Sequence, residues 1–205
     1  MNRGLEQRAA GLARRAGQRY PVIRRKAPSG VWLVTDPDRT LDLLTSVEGL
    51  PRGSVVIYRA FGAPSALVQA ISLRHLTRRR GLLLLIGADA VLARKSKADG
   101  VHLPQRLAHL ARRLKRSRPG WVVTAAAHGL AALRNAEAHG VDAVLVSAAF
   151  ASRSASAGPA LGPVRFEHLA RQARGPVIAL GGVNARTAAR LQRSCAAGLA
   201  GVEGF

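Results

Sequence analysis

The chain has 205 residues, of which 48% are hydrophobic, and these proportions suit one domain with a sizeable core. Its single cysteine, Cys195, excludes a disulfide within the chain and fits a reducing compartment. No apolar run reaches the roughly 18 residues that a membrane span requires, and the N-terminus lacks an apolar signal core. We therefore expect a cytoplasmic protein with no membrane partner.

The formal net charge is +21, from 32 basic and 11 acidic residues. Such an excess is typical of proteins that bind nucleic acids or anionic surfaces. The basic residues are nearly all arginines, scattered over helix-like segments beside abundant alanine, as a GC-rich coding bias would also produce. Aromatic residues, on which bases stack in single-strand binders, make up only 4%. We therefore do not expect a nucleic acid partner.

Residues 2–19 predict an amphipathic helix ahead of the first strand, because Leu5, Leu12 and several alanines recur at helical spacing opposite a row of arginines. Its apolar side is too rich in alanine for firm insertion into a membrane surface, so we expect it to pack on the domain. Residues 20–30 read as a basic, proline-containing connector. The predicted division is residues 1–29, a basic helix and connector, and residues 30–205, the domain.

Short apolar runs alternate with helix-like segments over the rest of the chain. The run Gly81–Gly87, bounded by glycines, is typical of a strand buried on both faces, and Ala98–Gln105 contains the next strand. The predicted strands start at residues 31, 54, 81, 99, 121, 143, 177 and 198. The predicted helices between them cover residues 41–47, 64–80, 89–96, 103–116, 130–139, 166–174 and 185–196.

Eight such steps, at intervals of roughly 20 to 30 residues, predict an α/β fold, a closed (β/α)₈ barrel of the TIM type. The alternative, an open doubly wound sheet, would need fewer strands or a longer chain to cover its edges. The sequence stops on the eighth strand at Phe205, so we expect no final helix. Either the N-terminal helix or the second subunit of a homodimer is expected to cover the surface left bare.

Gly181-Gly182-Val183-Asn184 follows the seventh strand, where barrels of this type often hold phosphate. Two glycines let a phosphate approach the backbone closely, and Asn184 can cap the next helix. We therefore predict a phosphate site at Gly181, Gly182 and Val183. The alternative is that the glycines serve only to form a tight turn.

At these positions the chain resembles the thiamine-phosphate synthases and their relatives, the TenI-like thiazole tautomerases. The matching stretches are Leu33–Asp36, Arg59, Ala98–Leu103 and Gly181–Val183, in the order and spacing of that family. The resemblance implies a barrel that binds a thiazole phosphate through the glycine turn. In the synthases it further implies that this ligand is joined to a pyrimidine diphosphate, with Mg²⁺ as cofactor.

The chain departs from the synthases where that chemistry takes place. By the resemblance, the two metal carboxylates map to Ala88 and Leu107, which offer no oxygen ligand for Mg²⁺. Two expected lysines are replaced by Phe61 and Ala155. We therefore predict no magnesium site of the family type and negligible condensation activity, unless a loop shift lets Asp89 replace the lost ligand.

The remaining candidates for chemistry are a histidine and two arginines. His128 matches a histidine that, in TenI-like proteins, moves a proton on the thiazole ring, and an imidazole titrates near neutrality. The alternative for His128 is a helix cap or a polar loop residue. Arg59 and Arg153 remain as cations for a leaving pyrophosphate. Ser152, Ser154 and His102 are predicted to line the pocket, with His102 in a mainly structural role.

Three functions stay open. The first is a divergent thiamine-phosphate synthase, which would show metal-dependent product formation. The second is a TenI-like tautomerase or a non-catalytic protein that binds a small phosphate ligand. The third is a basic barrel that binds RNA or an acidic partner, with an affinity that falls steeply with salt.

Overall fold

The computed structural model describes residues 2–20, 29–37, 39–40, 42–152 and 158–202. Its strands are parallel and hydrogen-bonded in sequence order, and the last pairs with the first, so that the sheet closes into a barrel. The strands are β1 (Val31–Val34), β2 (Val55–Tyr58), β3 (Leu83–Gly87), β4 (Gly100–Leu103), β5 (Val122–Ala127), β6 (Ala143–Val146), β7 (Val177–Leu180) and β8 (Gly198–Gly201). The closed sheet confirms the predicted (β/α)₈ barrel and excludes the open sheet.

The helices form a layer around the barrel. They are α1 (Arg3–Arg19), α2 (Leu43–Glu48), α3 (Ala66–Arg80), α4 (Ala90–Lys95), α5 (Ala111–Ser117), α6 (Leu130–Ala138), α7 (Gly162–Gln172) and α8 (Ala185–Ala189). In a right-handed crossover each helix runs back against its strand. The ends of α2 to α8 therefore lie where the strands begin, opposite the mouth of the barrel, which we define as the end where the strands finish. None of the helices in the described ranges is long and apolar enough to cross a membrane.

Three predicted helix boundaries were wrong. The segment after β4 begins with a 3₁₀ helix, Gln105–Leu110, before α5, because Pro104 sets the entry and Leu107 bonds back three residues to its carbonyl. α8 is only five residues long, since the backbone after it forms bonds of the i to i+3 type as far as Ser194. α7 begins at Gly162, before the predicted start, because Pro163 suits a first helical turn.

The barrel has two apolar cores, because successive side chains of each strand point to opposite faces. The first fills the barrel interior and is formed by Trp32, Val55, Ile57, Leu85, Leu145, Ile178 and their neighbours. The second, which we call the outer core, lies between the sheet and the helices and includes Leu33, Val56, Leu84, Val101 and Phe166. Burial on both faces explains why the strands read as unbroken apolar runs.

α1 packs against β1, β8 and α8, at the position that a helix after β8 would occupy. Leu5 and Leu12 are buried in the outer core, as predicted. The guanidinium groups of Arg15 and Arg19 donate to the backbone carbonyls of Gln192 and Ala173. The described chain shows no helix after β8, and residues 203–205 lie outside it. The division into residues 1–29 and 30–205 and the second subunit stay predictions.

Candidate functional site at the barrel mouth

Polar side chains end several strands at the mouth of the barrel. Arg59 follows β2, and its Nε donates to the carbonyl of Thr35 at 2.7 Å. Its Nη2 lies 2.8 Å from the Asp36 carboxylate at the end of β1. Burial lowers the pKa of Arg59, and the charge of Asp36 opposes that shift. Arg59, which the sequence predicts as a cation for the leaving pyrophosphate, therefore already forms an ion pair between the ends of β1 and β2.

His102 lies on β4 inside the mouth and is only 8% exposed. Its Nδ1 is 2.9 Å from Oγ1 of Thr124 on β5. Burial, followed by the charge of Arg59, lowers the pKa of His102 to about 4. The imidazole is therefore neutral at pH 7, so it serves as a hydrogen-bonding group between β4 and β5 and does not supply a proton there.

His128 follows β5 and is exposed, and its environment fixes which ring nitrogen carries the proton. Its Nδ1 lies 3.0 Å from the carbonyl oxygen of Ser147 and 3.2 Å from Oγ of the same residue. A carbonyl oxygen only accepts, so Nδ1 of the neutral ring is the donor and Nε2 keeps its lone pair. The backbone N–H of His128 donates to Oε1 of Gln105 at 3.1 Å. His128 is therefore held through Nδ1 and its backbone N–H, while its Nε2 makes no hydrogen bond to the described chain.

Gly181 and Gly182 form a turn that presses against the loop after β6. Both have positive φ, +93° and +62°. A Cβ atom at Gly182 would lie 2.2 Å from the carbonyl oxygen of Ala151, and one at Gly181 would lie 3.1 Å from the Cα of Ala148. The turn therefore needs glycine at both positions whether or not a ligand binds there.

Three backbone N–H groups of this turn have no acceptor among the described residues. Within the described ranges, no oxygen accepts from the N–H groups of Gly181, Gly182 or Val183. The carbonyl of Gly182 does accept a bond, at 2.8 Å from Oγ1 of Thr187. Asn184 and Thr187 form a capping box at the start of α8, as the cap prediction for Asn184 required. Thr187 and the capping box thus fix the turn to the start of α8, while the three N–H groups have no acceptor among the described residues.

The residues at the expected metal position do not fit a magnesium ion. Ala88 and Leu107 carry no oxygen donor, and Leu107 packs against the outer core. Asp89 accepts from the backbone N–H of Leu92 at 2.8 Å and so caps α4. Among the described residues, no group of three or more His, Cys, Asp or Glu side chains could hold a metal.

The structure brings some of the predicted site residues together. His128 touches Ser147, and the loop that continues from Ser147 packs against Gly181 and Gly182, so these residues line one side of the mouth. Arg59 and His102 lie near each other within the mouth. Ser152 is the last residue of the described range 42–152. The predicted residues Arg153, Ser154 and Ala155 lie outside the described residues.

Sequence reasoning missed the partners of His128. Gln105 lies at the end of the Ala98–Gln105 stretch, and Ser147 comes directly after a buried strand. A polar residue just after a strand was therefore the sequence feature that could have indicated a place at the mouth. Gln105 and Ser147 lie 23 and 19 residues from His128 in the chain, and neighbouring strands bring them together. Only the closed barrel shows that pairing.

The fold and its polar mouth define the class of the protein, a (β/α)₈ barrel of the TIM type. The family model described as thiamine monophosphate synthase matches residues 31–205. The chain therefore belongs to the thiamine monophosphate synthase family, which confirms the resemblance seen in its motifs.

Individual relatives agree with this assignment. The chain is 32% identical over 158 residues to the thiamine biosynthesis bifunctional protein ThiED of Geobacter sulfurreducens, a match that covers 75% of this chain and 32% of that protein. It is 32% identical over 152 residues to a thiamine-phosphate synthase of Chloroflexus aurantiacus, covering 72% of this chain and 69% of the relative. The match thus spans about a third of the longer Geobacter protein.

A solved structure shares the fold. The thiamine phosphate pyrophosphorylase from Pyrococcus furiosus superposes with a TM-score of 0.72 at 21% sequence identity. The superposition covers 87% of this chain and 86% of the other. At this identity the likeness supports the barrel alone.

Proposed function

We propose that the protein binds a small phosphorylated heterocycle of the thiazole phosphate type at the barrel mouth, with the phosphate on the backbone of Gly181, Gly182 and Val183. The observation that carries this proposal is the set of three backbone N–H groups that have no acceptor among the described residues. Such groups are ready donors for an anion, and the net charge of the chain favours one. Family membership supports the thiazole class of ligand.

The residues at the mouth favour a protein that binds the phosphate ligand over one that also carries out the magnesium-dependent synthase reaction. Departure of a pyrophosphate needs cations beside the developing charge. Arg59 is already paired with Asp36, and by the family resemblance the metal carboxylates map to Ala88 and Leu107. These features support a ligand-binding member of the family that lacks the ordinary transferase activity.

The binding proposal is tested by calorimetric titration with thiazole phosphate, the unphosphorylated thiazole alcohol and inorganic phosphate, all without magnesium. We expect the phosphate ester to bind at least about tenfold more tightly than the alcohol. Asn184→Asp keeps an N-cap and adds a negative charge beside the turn, so it should weaken binding of the ester by about tenfold or more. Asn184→Ser keeps the cap without the charge and is the control. Equal binding of ester and alcohol, or no effect of Asn184→Asp, would refute the phosphate site.

A second candidate function, proton transfer on the bound ring, has its own observation. Nδ1 of His128 donates to the Ser147 carbonyl, which leaves Nε2 as an exposed base. A positioned imidazole of this kind typically contributes about 10² to 10⁴ in rate. His128 would take a proton on Nε2 while the Ser147 carbonyl steadies Nδ1–H.

Deuterium uptake from D₂O into the thiazole ring, followed by NMR, tests this second function. We expect uptake above the uncatalysed rate in the wild type and loss of that excess in His128→Gln. His139→Gln, on α6 away from the mouth, is the matched control. Uptake at the uncatalysed rate in the wild type, together with tight ligand binding, would leave binding as the function.

A further inference from the structure

Exposed cations collect at the end of the barrel opposite the mouth. α3 ends in three arginines, α4 ends in an arginine and a lysine, and a second lysine follows. Because α3 and α4 lie on neighbouring strands and both run toward this end, the six side chains share one surface. We define the basic face by these exposed residues: Arg78, Arg79, Arg80, Arg94, Lys95 and Lys97.

The positive charge of the basic face is not balanced by ion pairs within the described part of the chain. None of the six cations forms an ion pair with a carboxylate of the described chain. Asp99 pairs with Arg74 at 2.6 Å and Asp142 pairs with Lys115 at 2.7 Å, and each carboxylate also accepts a backbone N–H near the start of a neighbouring strand. In the described ranges, Glu48 is the one exposed carboxylate at this end.

Helix dipoles do not fully account for this distribution. Cations stabilise helix C-termini, and acids stabilise N-termini by a similar amount. Among the described helices, acidic residues stand at the N-termini of only α1, α2 and α4, where Glu6 lies in the first turn of α1 and Asp42 and Asp89 cap α2 and α4. The N-terminus of α3, the helix that supplies three of the six cations, has no acidic residue. A coding bias toward arginine does not account for it either, because codon usage does not decide which end of a helix is charged and which is apolar.

The same helices expose apolar side chains at their opposite ends. Leu67 and Val68 lie in the first turn of α3 and Val91 lies in the first turn of α4. Val164, in the first turn of α7, is also exposed at the mouth end, although α7 does not contribute to the basic face. No large apolar side chain that is exposed in the described structure lies on the basic face. The face therefore lacks the apolar groups that insert into a membrane surface and the aromatic groups on which single-stranded bases stack.

We propose that the basic face binds the phosphate backbone of double-stranded nucleic acid without reading its sequence. A duplex presents phosphates at regular spacing on a stiff surface, and arginine contacts phosphate oxygens through paired N–H donors. Arg116 and Arg118, at the end of α5, extend the cationic surface on one side. This site lies at the other end of the barrel from the ligand site and does not depend on it.

The proposal is tested by fluorescence anisotropy with labelled RNA and DNA duplexes of about 20 base pairs and arbitrary sequence, over a range of salt concentrations. The variant Arg78→Gln/Arg79→Gln/Arg80→Gln removes three charges from the basic face. The matched control Arg106→Gln/Arg165→Gln/Arg186→Gln removes three exposed charges near the mouth, so both variants have the same net charge. Thermal melting of each variant shows whether it is folded.

We expect the logarithm of the duplex affinity to fall linearly with the logarithm of salt concentration in the wild type. The α3 variant should bind about tenfold or more weakly at low salt, with a slope reduced by up to about 3, while the control variant should bind nearly as the wild type does. Equal losses in the two variants would show that net charge alone matters and would overturn the proposal. Tighter binding to single strands, binding to vesicles with about 30% phosphatidylserine in place of the duplex, or no duplex binding would overturn it as well.

Discussion

Gly182 lies directly against the carbonyl oxygen of Ala151, at a distance that leaves no room for a side chain. A Cβ atom at position 182 would be 2.2 Å from that oxygen, and the backbone φ of +62° disfavours any other residue. We therefore expect Gly182→Ala to lower the free energy of unfolding by about 1–3 kcal/mol or to displace the loop after β6. Urea unfolding of the purified variant measures this change.

Gly120→Ala is the matched control for that variant. No atom lies within 4 Å of a Cβ at Gly120, and its φ is not positive, so the change should stay within about 0.5 kcal/mol of the wild type. A Gly182→Ala protein as stable as the wild type would show that the loop yields easily. Because of this close contact, an acidic side chain at position 182 would displace the loop as well as repel a phosphate. Asn184→Asp adds the charge without that steric effect, so it is the better test of phosphate binding.

The N-terminal helix is expected to be an integral part of the barrel. Leu12 is fully buried against the outer core, so Leu12→Ala should cost about 2–5 kcal/mol in unfolding free energy. Gln18→Ala, at an exposed position of the same helix, should have little effect. Deletion of residues 1–19 should lower stability or solubility further, because it exposes apolar surface. An unchanged melting temperature for Leu12→Ala would contradict this role.

The buried imidazole of His102 predicts a loss of stability on mild acidification. Its pKa in the folded protein is about 4, below the ordinary value of 6.5, because burial disfavours the charged ring. The unfolded chain therefore binds more protons between these values, and stability is full above about pH 6.5 and falls as the pH drops toward 4. The shift corresponds to roughly 3 kcal/mol at most.

Urea unfolding at a series of pH values from 7.5 to about 4 measures this effect. We expect the stability of His102→Gln to depend less steeply on pH below 6.5 than that of the wild type. His75→Gln, which replaces an exposed histidine on α3, should retain the wild-type pH dependence. Parallel curves for the wild type and His102→Gln would show that His102 is not the titrating group.

The architecture could be predicted from the sequence because both faces of each strand are buried. Unbroken apolar runs such as Leu83–Ile86 are typical of central strands, and their regular spacing indicates crossovers of one type. The helix boundaries were harder to predict, because the turns at Pro104 and after α8 depend on individual backbone hydrogen bonds. Propensity and periodicity do not resolve such bonds.

The site could be predicted only in part, for a physical reason. Motifs such as Gly181–Val183 lie on one turn, so their geometry is local and readable from the sequence. The partners of His128 and the ion pair of Arg59 with Asp36 come from neighbouring strands, and only the barrel brings them together. The grouping of the basic residues of α3 and α4 on one surface likewise comes from the fold. That grouping depends on the direction in which both helices run.

The last prediction concerns magnesium. The synthase reaction would need carboxylates beside the substrate phosphates, but by the family resemblance those positions map to Ala88 and Leu107. The Asp89 carboxylate already caps α4 through the Leu92 N–H at 2.8 Å. We therefore expect no condensation of pyrimidine diphosphate with thiazole phosphate above background. The assay compares product formation with magnesium, with chelator and in Asp89→Ser, which keeps an N-cap but removes the charge. Robust magnesium-dependent turnover would contradict the prediction, and its loss in Asp89→Ser would identify Asp89 as a replacement ligand that leaves its cap to bind the metal.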